Sequence, residues 1–125
     1  MPYYVSLSKL SAFRPRKMRA FRLGERETVV ALVDGSFYAF ENACTHQREY
    51  LTDGFIIDQQ VVCGYHDATY ELATGEAVYG PVIEPLAVFP VRIEGDEVQI
   101  EWPQPLPPEA VVYVDHDHDE RLYDK

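Results

Sequence analysis

The stretch that decides the fold runs from residue 44 to residue 66 and reads CTHQREYLTDGFIIDQQVVCGYH. It begins with Cys44-Thr45-His46 and ends with Cys63-Gly64-Tyr65-His66. These two Cys-His pairs use both cysteines of the chain and two of its four histidines. Two thiolates and two imidazoles suit a binuclear iron–sulfur cluster in which one iron takes the sulfur ligands and the other takes the nitrogen ligands. The pattern therefore favours an electron-carrying metal centre.

Other interpretations of the same four residues remain open at this point. Cys44 and Cys63 could form a single disulfide, although a secreted domain of this size more often carries several paired cysteines. A structural zinc site could also use two cysteines and two histidines, but it more often shows Cys-x-x-Cys with His-x-x-x-His spacing. A Cys63 nucleophile with His66 as its base would leave Cys44 and His46 unexplained. One cluster accounts for all four residues at once.

Length, charge and composition restrict the class of protein. The 125 residues are 46% hydrophobic, which predicts one globular domain with its own core. The chain shows neither a membrane-length apolar stretch nor a leader pattern at its N-terminus, so we expect a cytoplasmic protein. The formal net charge of -10 argues against nucleic acid and anionic membranes as partners, and it favours a partner with a basic docking face. Most positive residues come early: Arg14, Arg16, Lys17, Arg19, Arg22 and Arg26.

Short apolar runs alternate with turn signals along most of the chain. Asp34-Gly35 is a strong hairpin turn signal between two such runs, and Gly24, Thr74-Gly75 and Gly95-Asp96 separate others. Helical periodicity is nearly absent, with at most one turn each at residues 8–11 and 47–51. The pattern predicts an all-β sandwich or small barrel. The predicted strands cover residues 17–23, 27–33, 37–40, 55–57, 60–63, 69–72, 76–78, 91–93 and 98–100.

The composition changes after Trp102, where four prolines occur within residues 103–108. Such a segment prefers polyproline geometry and cannot form a central strand. We therefore expect one domain over residues 1–102 and a Pro-rich, acidic C-terminal tail over residues 103–125. The apolar run at 111–114 could add an edge strand or meet a second subunit, so a monomer and a weak dimer are both open. The acidic end, from Asp115 onward, is typical of a solvated segment.

The motif extends beyond its four residues. Its further positions are Leu51, Gly54, Val62, Tyr70, Thr74, Gly75, Gly80 and Pro81. With these positions, the chain resembles the Rieske-type ferredoxins over about residues 3 to 102. The resemblance implies an antiparallel β-sandwich with a small inserted subdomain, whose loops at about residues 43–81 hold one 2Fe-2S cluster.

The resemblance also implies a role for each motif residue. Cys44 and Cys63 would ligate the buried iron, and His46 and His66 would ligate the solvent-facing iron. Histidine ligation leaves the oxidised site less negative than four thiolates would, which raises its reduction potential.

Residues around the ligands are expected to tune this potential. Tyr70 occupies the position from which a tyrosine hydroxyl reaches a ligand sulfur, although an aromatic core residue with its hydroxyl turned elsewhere is the alternative. Ala68 replaces a serine that hydrogen-bonds the cluster in high-potential members. The chain therefore resembles the low-potential soluble ferredoxins more closely. Gly80-Pro81 would form a third loop beside the cluster, and Tyr65, next to a ligand, would lie on the docking surface.

The resemblance implies an electron-transfer protein and not an enzyme. It would carry one electron at a time from a flavin reductase to a terminal oxygenase or another redox enzyme. A Rieske subunit of a larger oxidoreductase, such as the small subunit of nitrite reductase, and a structural zinc domain remain alternatives. We expect no catalytic oxygenase subunit, because a chain of 125 residues leaves no further domain for a mononuclear iron.

Overall fold

The computed structural model describes residues 3–45, 49–64, 67–80 and 84–114. Nearly all regular structure in these ranges is β, with single 3-10 turns at Leu10–Ala12, Leu51–Asp53 and Pro108–Ala110. The strands are β1 (Tyr3–Lys9), β2 (Met18–Leu23), β3 (Arg26–Val33), β4 (Ser36–Glu41), β5 (Phe55–Ile57), β6 (Gln60–Val62), β7 (Thr69–Glu71), β8 (Ala77–Tyr79), β9 (Val88–Phe89), β10 (Val91–Glu94), β11 (Glu97–Trp102) and β12 (Val111–Val114).

The strands form three antiparallel sheets. A three-stranded sheet has the order β1-β11-β10, and a five-stranded sheet has the order β12-β2-β3-β4-β9. A four-stranded sheet, β5-β6-β7-β8, is a meander inserted between β4 and β9. We call this meander and its flanking loops the inserted subdomain, and the other two sheets the body.

The five-stranded sheet is the central layer, because its strand β3 is buried on both faces. Side chains alternate between the two faces of a strand. Val29, Ala31 and Val33 pack with the residues of the inserted subdomain, whereas Val30 packs with the three-stranded sheet. This arrangement explains the almost continuous apolar run in β3, which is unlike the half-exposed strands of a simple sandwich.

The hairpins predicted from turn signals are present. In the turn between β3 and β4, Asp34 and Gly35 both have positive φ (52° and 85°), as a two-residue hairpin turn with the twist of the strands requires. The hairpins β5-β6, β7-β8 and β10-β11 also pair as predicted. The prediction of an all-β, antiparallel fold is therefore confirmed.

The two ends of the chain add strands to the body. The sequence pattern did not predict β1, which pairs with β11 along six registered residue pairs. Within the tail, β12 pairs with β2 as an edge strand, so the structure takes the edge-strand alternative for the apolar run. The division of the chain at residue 102 remains a prediction. Among the described residues, no helix is long and apolar enough to cross a membrane.

Candidate metal centre

Each cysteine begins a short loop in the inserted subdomain. Cys44 follows β4, and its backbone N–H donates to the carbonyl of Glu49 at 2.8 Å. Cys63 follows β6, and its N–H donates to the carbonyl of Ala68, also at 2.8 Å. Each hydrogen bond closes a loop of six residues that starts at the cysteine, 44–49 in one case and 63–68 in the other. We call these the first and the second ligand loop.

The two cysteines meet in one core. Both side chains are completely buried (0% exposed), and both belong to the apolar cluster between β3 and the inserted subdomain. The structure contains them as thiols and not as a disulfide, which argues against the disulfide alternative. His46 and His66, the predicted nitrogen ligands, lie outside the described residues, as do Tyr65 and Pro81. The described residues alone contain no group of three or more metal-ligating side chains.

Tyr70 connects the two halves of the site, because its hydroxyl reaches the first ligand loop from β7. The Tyr70 oxygen lies 3.3 Å from Cys44 Sγ and 2.9 Å from Thr45 Oγ1, and it accepts a hydrogen bond from the Thr45 N–H at 3.1 Å. Thr45 Oγ1 in turn donates to the carbonyl of Glu84 at 3.1 Å. The Tyr70 hydroxyl therefore lies next to a cysteine sulfur, and its role toward a cluster stays a prediction.

The donors and acceptors of this network assign the phenol proton. Thr45 uses its single hydroxyl proton on Glu84, so the Tyr70 O–H donates to Thr45 Oγ1, to Cys44 Sγ or to both. A deprotonated Cys44 can only accept, and a charged acceptor makes the stronger bond. Burial raises the pKa of Tyr70 to about 12, and the hydrogen bond with Cys44 acts in the same direction. Tyr70 therefore stays protonated, and able to donate, throughout the neutral pH range.

Two glycines allow the second ligand loop to touch the segment that follows the first ligand loop. A Cβ on Gly54 would overlap the carbonyl oxygen of Val62, just before Cys63. A Cβ on Gly64 would lie 2.7 Å from the carbonyl oxygen of Asp53. Because real Cβ atoms do not come this close to a backbone oxygen, any other residue would push the loops apart. The contact fixes the second ligand loop against the segment that follows the first.

A third segment packs on the second ligand loop at Gly80. This residue has φ of 96°, and a Cβ there would lie 2.8 Å from the Cα of Ala68. Ala68 is itself completely buried. A side chain larger than alanine at position 68, or any side chain at position 80, would separate these two segments.

Asn42 attaches the first ligand loop to the body. This buried residue follows β4, and its Nδ2 donates to Glu27 Oε2 at 2.8 Å and to Thr52 Oγ1 at 3.3 Å. Its Oδ1 accepts the N–H of Thr52 at 3.1 Å. The loop that begins at Cys44 is thus tied to the central sheet on one side and to the 3-10 turn of Thr52 on the other.

The site's fold and sequence agree with one family. Residues 3–90 match the Rieske [2Fe-2S] domain. The chain belongs to the Rieske [2Fe-2S] domain family. It is 34% identical over 76 residues to the ferredoxin component of the naphthalene 1,2-dioxygenase system of Pseudomonas aeruginosa, a match that covers 61% of this chain and 73% of that protein.

Solved structures agree with this assignment. The ferredoxin of Sphingomonas yanoikuyae B1 superposes with a TM-score of 0.75 and 28% identity, over 81% of this chain and 100% of that one. A chain in the complex of reduced oxygenase and oxidised ferredoxin of carbazole 1,9a-dioxygenase superposes with a TM-score of 0.74 and 28% identity, over 83% of this chain and 97% of that one. This Rieske protein is therefore an electron carrier that binds one 2Fe-2S cluster through two cysteines and two histidines.

The described half of the Rieske site fits such a cluster. Two buried sulfur atoms are available in one core, and a phenol donor lies against one of them. Glycines hold the second ligand loop in contact with the segment that follows the first. When bound, the cluster supplies one-electron redox chemistry. The protein's own contribution is to exclude water from the sulfur side and to place the Tyr70 proton there.

Sequence reasoning missed several residues that build the Rieske site. Thr45 and Asn42 position the first ligand loop, but a threonine or asparagine beside a cysteine carries no signal of such a role. The close backbone approach between Gly64 and Asp53 was not predicted from the sequence either. The Cys-Gly pair next to a strand was the only available hint, since glycine there can mark backbone contact.

Proposed function

We propose that Cys44 and Cys63 ligate the buried iron and that His46 and His66 ligate the outer iron. The burial of both sulfur atoms in one core carries this proposal. Each histidine lies in sequence inside a loop that a cysteine N–H closes, so the four ligands would come from two short, mutually braced segments. The family match favours this cluster over the alternative zinc domain.

We propose that the cluster has a low reduction potential for its class. The chain contains no cysteines beyond the two ligands, so no disulfide can connect the loops. Ala68 offers no hydroxyl to the cluster, which leaves Tyr70 as the side-chain donor on the sulfur side within the described residues. Fewer donors stabilise the reduced, more negative state less. Gly80 and Pro81 would cover a further side of the cluster, and Tyr65 would lie at the docking surface.

We propose that the protein carries electrons from a flavin reductase to a terminal oxygenase in the cytoplasm. The similarity to a dioxygenase ferredoxin component and to a ferredoxin–oxygenase complex supports this direction of transfer. The net charge of -10 would steer the protein toward basic docking faces on its partners. In the alternative, the protein carries the same cluster but is permanently bound as a subunit of a larger oxidoreductase.

An affinity-tagged full-length chain, purified from its native cells, tests the proposed role. We expect a separate carrier that accepts one electron per cluster from a flavin reductase and returns it when a ring-hydroxylating oxygenase is added under air-free conditions. Cys63→Ser, which removes a ligand, serves as the control without a cluster. Stoichiometric copurification with a larger redox subunit, maintained at high salt, would contradict the role of a separate carrier. It would support the role of a subunit in a larger oxidoreductase.

A further inference from the structure

A pocket of about 520 Å³ lies between β2 and the segment that follows the first ligand loop. Four cationic side chains line it, although the chain as a whole is strongly acidic. They are Arg14, Arg16, Lys17 and Arg19. Gly54, the glycine that touches the second ligand loop, also lines the pocket. Positive charge is thus concentrated beside the metal centre, in a position that the electron-carrier role does not explain.

Among the described residues, most of these cationic side chains have no ion-pair partner. Arg16 pairs with Asp34, with 3.6 Å between Nη1 and Oδ1, and donates to the carbonyl of Asp58 at 2.9 Å. Within the described ranges, Arg14, Lys17 and Arg19 form no ion pair with a carboxylate. The Nε of Arg19 is buried and has no hydrogen-bond acceptor there. A buried donor without an acceptor is unfavourable and a charged acceptor forms the stronger hydrogen bond, so the pocket is suited to a carboxylate ligand.

The last described strand ends at this pocket. Val114 of β12 lies opposite Ala20 of β2, and the two strands are antiparallel. The direction of β12 at its end therefore leads past Ala20 toward Arg19 and Lys17. Tyr113, which lines the pocket, has its ring 4.1 Å from the Arg19 guanidinium carbon.

The sequence that continues from Val114 has the complementary charge. Residues 115–125 read DHDHDERLYDK, and the first six contain four carboxylates and no lysine or arginine. We call residues 115–120 the acidic segment. Six extended residues span up to about 20 Å, and a short tether gives an effective concentration of about a millimolar. An acidic surface on a separate protein would have to displace this tethered competitor.

We propose that the pocket is a carboxylate-binding site and that its occupant is the acidic segment of the same chain. Carboxylates of the segment would pair with Arg14, Lys17 and Arg19 and would accept the hydrogen bond that Arg19 Nε lacks. The contact would neutralise the positive patch beside the metal centre and would hold β12 on the edge of the sheet. This inference does not depend on the identity of the redox partners.

Zero-length carbodiimide cross-linking of the intact, cluster-loaded protein tests the proposal, because the chain contains only three lysines: Lys9, Lys17 and Lys125. We expect mass spectrometry to find Lys17 joined to the acidic segment as a major product. Lys9, whose Nζ lies 3.7 Å from Asp96, should join Asp96 and serves as the internal control. Asp115→Asn combined with Asp117→Asn should lower the Lys17 yield severalfold without changing the Lys9 yield, whereas Asp96→Asn should do the reverse.

Two conditions separate the possible results. Raising the salt from about 0.01 M to about 1 M shortens the Debye length from about 30 Å to about 3 Å, so the Lys17 product should fall severalfold. A mixture of isotope-labelled and unlabelled protein should give products within one chain only. Products between chains would overturn the proposal in favour of a second copy. In a further sample, an added small amine reacts with any carboxylate that the carbodiimide activates. If the acidic segment reacts with this amine but never with Lys17, the proposal is overturned, and an acidic partner becomes the expected occupant of the pocket.

Discussion

The body and the inserted subdomain pack different kinds of side chain against the two faces of the same central strand, β3. On the body side of β3, Val30 packs with aliphatic and aromatic residues such as Phe21 and Ile100. On the other side, the core includes two thiols and a tyrosine hydroxyl. The body can thus be stabilised by apolar burial alone, whereas the core of the subdomain contains polar groups that need partners.

The two regions also differ in their sheets. The strands β1, β2, β3, β4 and β11 of the body have six to eight residues, whereas all four strands of the subdomain have three. Three-residue strands form few ladder hydrogen bonds, so close loop contacts and the bound cluster must contribute more of the subdomain's stability. From this comparison we expect the body to act as a scaffold and the subdomain to depend on its bound cluster.

The largest expected effect separates the two regions directly. Cys63→Ser should abolish cluster binding, because it removes a proposed ligand sulfur, and the amides of β6 and β7 should lose hydrogen-exchange protection. The amides of β2 to β4 should keep most of theirs. Hydrogen exchange followed by mass spectrometry, together with iron and sulfide analysis, checks both expectations. Equal loss of protection in both regions would show that the body also depends on the cluster.

The reciprocal change is Ile100→Ala in the core of the body. Deleting this completely buried side chain should lower the free energy of unfolding by about 2–5 kcal/mol. The iron content per folded chain and the visible spectrum should stay unchanged, because Ile100 packs on the side of β3 away from the ligand loops. Urea titration and absorbance measure the two quantities. A changed cluster spectrum at full folding would break the proposed separation.

Gly54→Ala tests the contact between the second ligand loop and the segment that follows the first. Its Cβ would overlap a backbone oxygen, so the loops must shift, at a cost of about 1–3 kcal/mol, and iron should be released to a chelator several times faster. Gly24→Ala is the matched control, because Gly24 has φ of 64° but no atom within 4 Å of the added Cβ. It should cost about 1–2 kcal/mol from backbone strain while the rate of iron release stays unchanged. If Gly54→Ala releases iron no faster than the unmodified protein, contact at Gly54 does not hold the cluster.

The smallest effect concerns the hydroxyl of Tyr70. Tyr70→Phe removes a donor to Cys44, and the midpoint potential should fall by tens of millivolts, since about 59 mV corresponds to a tenfold change in a one-electron equilibrium. Tyr38→Phe is the control, because its hydroxyl contacts Gln59 and not a cysteine. Potentiometric titration at neutral pH compares the three proteins. An unchanged potential in Tyr70→Phe would mean that the phenol does not donate to the ligand sulfur.

The body and the subdomain also differ in what the sequence predicts. Hairpins such as β3-β4 follow from alternation and from the Asp34-Gly35 turn, because these signals are local. The strand β1 was missed, since its pairing with β11 joins residues nearly 100 positions apart. No local pattern encodes such a partner. The edge position of β12 could be stated only as one of two alternatives for the same reason.

For the site, the spacing and types of the residues predicted the chemistry. Only the three-dimensional structure revealed the residues that position the first ligand loop. Cys44, Cys63 and Tyr70 were expected at the centre because their types match the ligands and donors of the resembling family. The roles of Asn42 and Thr45 depend on which backbone groups come near them in three dimensions. Those contacts exist only once the loops are folded, so a single sequence does not reveal them.

The most direct test of the central claim is low-temperature EPR of the dithionite-reduced protein, with iron, sulfide and zinc measured on the same sample. We predict a rhombic signal whose average g value lies clearly below that of all-cysteine clusters, together with equal amounts of iron and sulfide. A colourless, EPR-silent protein that contains one zinc per chain would contradict the account and would make the inserted subdomain a structural zinc site.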